Sequence, residues 1–351
     1  MRQQTWGKLS PWPVEGVDRI GDYRRGILMA LGTALIWGPT GAIAKMITAS
    51  GLSQISVVSY RAVSIAILIG AWLWMKKGIS AFRTSREMLT AYTLLGILTI
   101  IFNSTGFMMS CVYLSVPQAL MLGYTSPIVT MAGSAFLTGE KPTPIQAIAG
   151  FMVLLGLYIG FVMGTESGGS ISIVGVAWAG VSVTGSSGQA LLSRRISKTG
   201  YPDPMLQLFF AHLFGGFILI VGRTLFGSWS DLANLTPRAF ALAQYPALMS
   251  GLVAYGLLFS ALKRIPAPVV SLICTLEIVF ALMLTPILVH QVPTMHEIMG
   301  CSIILAAVAC STIKSGPCEA TLSRNRHSAK SFDRTQNAME KSREELLRTD
   351  R

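Results

Sequence analysis

Apolar stretches of roughly twenty residues recur along the chain between Gly26 and Lys314, and short polar segments separate them. An α-helix needs about this length to cross the hydrocarbon core of a bilayer, where it satisfies its own backbone hydrogen bonds. The pattern therefore predicts a series of membrane-spanning helices. They are expected near residues 26–47, 54–75, 88–110, 117–137, 144–164, 173–193, 205–226, 239–262, 267–289 and 294–314.

These predicted helices fall into two sets of five, with a Gly/Ser-rich segment between the sets. Because five is an odd number, the second set has to enter the membrane from the opposite side. The predicted fold is an all-α membrane protein in which ten transmembrane helices form two inverted five-helix repeats, as in many secondary transporters. The predicted units are an N-terminal segment (1–25), a first repeat (26–164), a hinge loop (165–172), a second repeat (173–314) and a disordered tail (315–351).

The charge pattern predicts how the helices are oriented. The chain of 351 residues is 52% hydrophobic and 13% charged, and its net charge is +12. Lys and Arg cluster in the N-terminal segment, at 76–86, at 194–198, at 263–264 and in the tail, whereas the intervening loops contain few. Since basic loops remain in the cytoplasm, both termini are expected to be cytoplasmic, in a bacterial inner membrane. The basic charge thus indicates topology, and no nucleic-acid partner is expected.

Short matches between the two halves support a duplication. Gly38 and Gly41 in the first predicted helix have the spacing of Gly185 and Gly188 in the sixth. The segment GEKPT after the fourth helix corresponds to HQVPT after the ninth, at nearly the same offset along the chain. Both pairs lie at equivalent points of the two sets.

Several motifs resemble those of one transporter family. They are Trp37-Gly38 followed by Lys45, then Arg61, the run ALMLGYTSPIVTMAGSAFLTGEKPTPIQAIAG at 119–150, and LEIVFA at 276–281. In this order the motifs resemble the EamA-type transporters of the drug/metabolite transporter superfamily, whose second half usually reads LEPVFA. The resemblance covers about 26–314. It implies a ten-helix inverted-repeat carrier with a central cavity, commonly an exporter of small metabolites or drugs.

Two positions depart from the family pattern. Ile278 stands where a proline is usual, and Gln291 stands where the first half has Glu140. The two halves are therefore not expected to have equivalent chemistry.

Glu277 is the first candidate for a functional role. It lies near the middle of the ninth predicted helix, where a carboxylate is costly unless it is paired, hydrated or protonated. It can bind a coupling proton or an amine substrate, or it can be a structural carboxyl that bonds to a neighbouring helix. His212 is a second candidate for coupling, because histidine titrates near neutral pH. A histidine alone in an apolar helix also fits a packing role.

Further cavity candidates lie at mid-depth in other predicted helices. Pro127 follows Tyr124 and Ser126, and a proline frees a backbone carbonyl that is tolerated in a membrane where it faces a cavity. Trp37, Asn103 and Gln189 add polar groups at a similar depth. The Trp37-Gly38-Pro39 bend and the Gly185–Gly188 segment are expected to interrupt the first and sixth helices near the binding region. Close helix packing at the glycines is the alternative.

Two basic residues lie inside or close to predicted helices. Lys45 and Arg61 can bind an anionic group. The interpretation favoured by their positions is that Lys45 extends to the outer headgroups and that Arg61 forms a structural pair.

The sequence contains no HExxH, Walker or nucleophile-elbow motif in a suitable context. No enzyme activity, cofactor or metal is therefore expected, and transport would depend on gradients. The predicted partners are a small-molecule substrate and the lipid bilayer, and the sequence does not indicate an oligomeric state.

The sequence favours a carrier that exports a small organic metabolite, such as an amino acid, by alternating access through a central cavity. A phosphorylated substrate would need several convergent Lys or Arg residues. The alternatives are an exporter of cationic drugs or amines, and, in another class, a membrane scaffold or sensor without transport. A membrane enzyme is a weaker third choice. The polar tail is expected to be dispensable for transport.

Overall fold

The structure is a computed structural model that describes residues 19–114, 116–139, 143–161, 163, 172–198, 203–289 and 294–314. All regular secondary structure in these ranges is helical. Residues 1–18, most of the predicted hinge and the whole predicted tail lie outside the described residues, as do Glu140 and Gln291.

The described residues of the first half form eight α-helical pieces, and a π-helical segment at Ile97–Thr105 joins α4 to α5. The pieces are α1 (Arg19–Trp37), α2 (Thr40–Ala49), α3 (Gln54–Lys77), α4 (Arg86–Gly96), α5 (Gly106–Tyr113), α6 (Val116–Gly123), α7 (Ser126–Leu137) and α8 (Pro144–Phe161). A short 3₁₀ turn follows α3 at Ile79–Phe82.

The second half follows the same pattern among its described residues, with a π-helical segment at Tyr245–Ala254 that joins α11 to α12. The helices are α9 (Ile173–Ser197), α10 (Pro204–Phe226), α11 (Pro237–Gln244), α12 (Tyr255–Arg264), α13 (Ala267–Cys274), α14 (Glu277–Val289) and α15 (Met295–Lys314). A 3₁₀ turn at Ser230–Asn234 precedes α11.

Every stretch that the hydrophobic pattern predicts as helical overlaps a helix in the described part of the chain. Seven helical segments there are long and apolar enough to cross a membrane: Gly21–Ala49, Gln54–Lys77, Arg86–Tyr113, Gln118–Leu137, Pro204–Phe226, Pro237–Arg264 and Ala267–Leu288. The chain is therefore a multi-pass helical protein. Ten crossings and the inversion of the second half stay predictions, because α8 and α15 have only shorter apolar stretches and α9 is rich in Gly and Ser.

Large apolar side chains cover the outer faces of the helices. Phe136 and Phe226 are 89% and 90% exposed, and Phe217 and Met283 are also exposed. Exposed apolar surface of this extent is unfavourable in water. It is compatible with contact to lipid chains, which is what a multi-pass protein requires.

Several helices begin at side-chain caps that the sequence provides. Ser53, Ser85, Ser172, Asp203 and Thr236 each accept a hydrogen bond from a backbone N–H in the first turn of the following helix. Such caps satisfy donors that a helix start leaves free. They fix where α3, α4, α9, α10 and α11 begin.

Polar contacts link loops at one end of the helices. Lys77 at the end of α3 pairs with Asp203 at the start of α10, with 2.7 Å between Nζ and Oδ2. Asp22 in α1 pairs with Arg264 at the end of α12, with 3.9 Å between Oδ1 and Nε. These residues flank the loops that the charge pattern predicts to be cytoplasmic.

A denser cluster of polar residues joins the two halves at the other end. Asp231 accepts hydrogen bonds from the Ser53 backbone N–H (2.9 Å) and the Ser56 hydroxyl (2.7 Å). Arg223 pairs with Asp231, with 2.5 Å between Nη2 and Oδ1. The Arg223 guanidinium also lies over the ring of Trp229. These loops are the ones predicted to be on the outer side, and we call this group the outer cluster.

Candidate functional site

Three breaks in the helices lie beside one cavity. The first break is at Gly38-Pro39 between α1 and α2, the second at Tyr124-Thr125 between α6 and α7, and the third at Thr275-Leu276 between α13 and α14. Residues on or next to each break line the cavity, including Trp37, Tyr124 and Thr275. A broken helix exposes backbone polar groups, which a membrane tolerates where they face protein or a water-filled cavity.

Contacts to the second π-helical segment stabilise the break after α1. Proline has no backbone N–H to continue the helix. The Tyr245 hydroxyl donates to the carbonyl oxygen of Ile36 at 2.7 Å, and the Trp37 indole N–H donates to the carbonyl oxygen of Ser250 at 3.1 Å. The indole is thereby held at the cavity wall.

The cavity contains about 130 Å³ of space that the centre of a water molecule can reach. One buried water needs about 10–15 Å³ of such space, so the cavity has room for a small organic solute. Seven of the candidates from the sequence line it: Trp37, Asn103, Tyr124, Ser126, Pro127, Gln189 and Glu277. They come from both halves of the chain. Their contact with a substrate stays a prediction.

Glu277 is the first residue of α14, directly after the third break. Its side chain is half-buried and faces the cavity. No described residue forms a hydrogen bond or an ion pair with its carboxylate in this structure. The structural alternative for Glu277 requires a hydrogen bond to a neighbouring helix, and the described residues provide none.

Tyr255 is the centre of a polar group in the cavity wall. Its hydroxyl accepts a hydrogen bond from the Asn103 amide at 3.0 Å and lies 3.2 Å from the Ser104 hydroxyl. The rings of Tyr255 and Trp37 form a T-shaped contact, with 5.2 Å between the ring centroids. Sequence reasoning missed Tyr255 and Ser104, because one tyrosine and one serine in apolar helices give no periodic signal.

Arg61 belongs to the same group. The residue is 3% exposed and lines the cavity from α3. Its Nη2 donates to the Ser104 hydroxyl, and its guanidinium carbon lies 5.5 Å from the centroid of the Tyr255 ring. Nε is buried without a hydrogen-bond partner. The structural pair expected for Arg61 therefore consists of neutral groups, since no described acidic residue lies within ion-pair distance.

His212 lies behind the cavity wall. It is buried in α10, and its Nδ1 is 2.9 Å from the carbonyl oxygen of Leu208. Its ring contacts Tyr255 edge-on, with 5.8 Å between centroids. His212 is not among the residues that line the cavity, so a direct contact with substrate is not what this geometry favours.

The predicted interruption of the sixth helix at Gly185–Gly188 is wrong. The helix α9 runs without a break from Ile173 to Ser197. A Cβ atom at Gly185 would lie 2.7 Å from the carbonyl oxygen of Leu98 in the first π-helical segment. The glycine permits this close approach of two backbones, which was the alternative interpretation.

Comparison with known proteins agrees with this architecture. The model of the EamA-like transporter family matches residues 24–162 and 173–313. The uncharacterized inner membrane transporter YhbE of Escherichia coli K12 is 29% identical over 275 residues, which cover 75% of this chain and 81% of YhbE. The YhbE proteins of Escherichia coli O157:H7 and Shigella flexneri match equally well. A solved crystal structure shares the fold with a TM-score of 0.63 and 16% identity, over 82% of this chain and 96% of the other.

Proposed function

Because the chain belongs to the EamA-like transporter family, we propose that it is a secondary transporter that exports a small organic metabolite by alternating access through the central cavity. The family match confirms the resemblance found in the sequence motifs. The chain is similar to an inner membrane transporter and contains several long apolar helices. It is therefore a multi-pass inner membrane protein.

The observation that supports this proposal most strongly is the position of the three helix breaks. Broken helices from both halves meet at one cavity, and the third break places Glu277 at its wall. In secondary transporters, interrupted helices at the interface of two repeats form the substrate site. Short non-helical segments also provide points at which the helices can bend.

The lining favours a substrate of low net charge, such as an amino acid. Hydroxyl and amide groups at Thr40, Asn103, Ser182 and Gln189 provide neutral hydrogen-bonding positions. Arg61 and Glu277 are the charged residues among the described positions that line the cavity. A phosphorylated solute would need more convergent cations than this.

Export of cationic drugs or amines is the second candidate. Glu277 can act as the counter-ion, and the rings of Trp37 and Tyr124 can contact a cation through their faces. This candidate differs from the first in that it requires no partner for a substrate carboxylate.

A counterflow assay in proteoliposomes tests transport directly. We expect purified protein to exchange at least one external radiolabelled amino acid for the same unlabelled compound inside the vesicles. Empty vesicles and vesicles with heat-unfolded protein are the controls. Correctly inserted protein that exchanges neither amino acids nor amines would contradict transport of these solutes and favour a scaffold or sensor.

A further inference from the structure

Arg61 is a buried cation whose charge is not balanced by the described residues around it. It is 3% exposed, its contacts are to neutral groups, and its Nε has no hydrogen-bond partner. A charged group at low dielectric is costly unless it is paired or hydrated. Arg61 is also among the residues that line the cavity, so a solute in the cavity is a possible source of the counter-charge.

The surroundings fix the position of the Arg61 side chain. A Cβ atom at Gly251 would lie 2.8 Å from both Cγ and Cδ of Arg61, so the arginine stem lies directly against the second π-helical segment. Ser104 accepts from Nη2, and the Tyr255 ring lies beside the guanidinium. A pre-positioned guanidinium loses little conformational freedom when it binds a planar anion.

Glu277 provides the opposite charge on the same cavity. Its carboxylate has no ion-pair partner among the described residues, and it belongs to α14, whereas Arg61 belongs to α3. The cavity is thus lined by one basic and one acidic side chain, from different halves of the chain. A solute with both an anionic and a cationic group can satisfy the two.

We propose that Arg61 binds the carboxylate of the transported solute while Glu277 binds its ammonium group, so that the site selects α-amino acids over amines and over simple carboxylic acids. This inference rests on the proposed transport function and specifies its substrate class. Arg61 is then a specificity-determining residue, in addition to its contacts with Ser104 and Tyr255. A carboxylate suits the site because guanidinium groups bind carboxylates through two parallel hydrogen bonds.

The test compares an amino acid with its decarboxylated amine. Counterflow is measured with each of the twenty common amino acids, and the amine that corresponds to the best one is used as a competitor. With leucine the amine is 3-methylbutylamine. We expect the amine to compete about 10- to 100-fold more weakly in the wild type, because it lacks the charge-assisted hydrogen bonds to Arg61.

Arg61→Gln removes the cation and retains a polar side chain. We expect this variant to lose most of the preference for the amino acid, to within about threefold of the amine, while amine exchange persists. An unchanged preference, or an equal loss for both solutes, would assign Arg61 a structural role and overturn the inference. Wild-type protein that exchanges amines and no amino acid would also overturn it, although transport itself would stand.

A second variant tests the inference if Arg61→Gln folds poorly. Arg61→Lys retains the charge but loses the planar fork, and we expect it to decrease the preference by about tenfold. A lysine variant with the full wild-type preference would contradict the inference. If the wild type exchanges none of the solutes, the transport proposal fails first and this inference fails with it.

Discussion

At the scale of single residues, the cavity combines one carboxylate and one guanidinium with neutral donors and acceptors. Replacing Glu277 tests the negative charge. We expect Glu277→Gln to weaken the exchange of amino acids and amines by about tenfold or more, since glutamine keeps the shape but loses the charge that binds an ammonium group. The measurement is the competitor concentration that halves counterflow.

Glu87→Gln is the matched control, because Glu87 is exposed in the first turn of α4 and does not line the cavity. It should exchange solutes like the wild type. If Glu277→Gln also keeps the wild-type affinity and pH dependence, Glu277 has no functional charge and only a packing role remains.

Gly251 provides a second test at this scale. We expect Gly251→Ala to decrease the stability of the protein in detergent by about 1–3 kcal/mol, because the added methyl group overlaps Ile65 Cδ1 and the Arg61 stem. Amino-acid affinity should decrease with it. Gly222→Ala is the control, since a Cβ atom there meets nothing within 4 Å. Equal melting temperatures and equal amino-acid affinities for the two variants would show that Gly251 does not position Arg61.

At the scale of helices, neither proline nor glycine proved a reliable signal of a break, since Pro286 lies inside α14 and α9 continues through Gly185. The bend at Pro39 and the break before Pro127 were predictable because proline lacks the N–H that continues a helix. The break at Thr275-Leu276 was not, since neither proline nor glycine marks it in the sequence. Gly185 looked equivalent to Gly38, but its role depends on the backbone of Leu98, which only the packed structure reveals.

The two π-helical segments also lay beyond sequence reasoning. Hydrophobic periodicity does not distinguish i→i−4 from i→i−5 hydrogen bonding over a few residues. In the first segment the hydroxyl groups of Ser104 and Thr105 donate to carbonyl oxygens five residues earlier, at Thr99 and Ile100. The π-helical turns place Asn103 and Ser104 beside Tyr255, and such turns are frequent at functional sites.

The outer cluster gives a prediction about contacts between elements. Asp231 and Arg223 are largely buried, and Asp231 also holds the start of α3 through Ser53. We expect Asp231→Asn to lower the stability in detergent by about 1–3 kcal/mol, because it leaves the Arg223 charge unpaired. Thermal unfolding measures the change.

Asp22→Asn is the control for this prediction, since Asp22 is more exposed and its contacts to Arg25 and Arg264 are 3.8 and 3.9 Å long. Exposed pairs contribute about 0–1 kcal/mol. A loss of stability as large in Asp22→Asn as in Asp231→Asn would show that the outer cluster has no special role.

At the scale of the whole molecule, the topology that the Lys and Arg pattern predicts stays a prediction. Single cysteines at Leu235 and Glu87, both exposed positions, test it in a background without native cysteines. We expect an impermeant thiol reagent to label the cysteine at 235 from outside intact cells and the cysteine at 87 only after the cells are opened. The reverse pattern would invert the orientation, and labelling of both from outside would contradict the helix arrangement.

Two-sided access to the cavity is the most direct test of transport by alternating access. Cys274 lines the cavity and is half-buried, whereas Cys111 is buried and is not among the residues that line it. In a transport-competent variant that retains Cys274 as its single cysteine, an impermeant thiol reagent should react from either side of the membrane and block counterflow. A transported solute should protect the thiol, and a variant with only Cys111 should stay unmodified. Reaction of Cys274 from one side only, under every solute gradient and with flux intact, would contradict alternating access through this cavity.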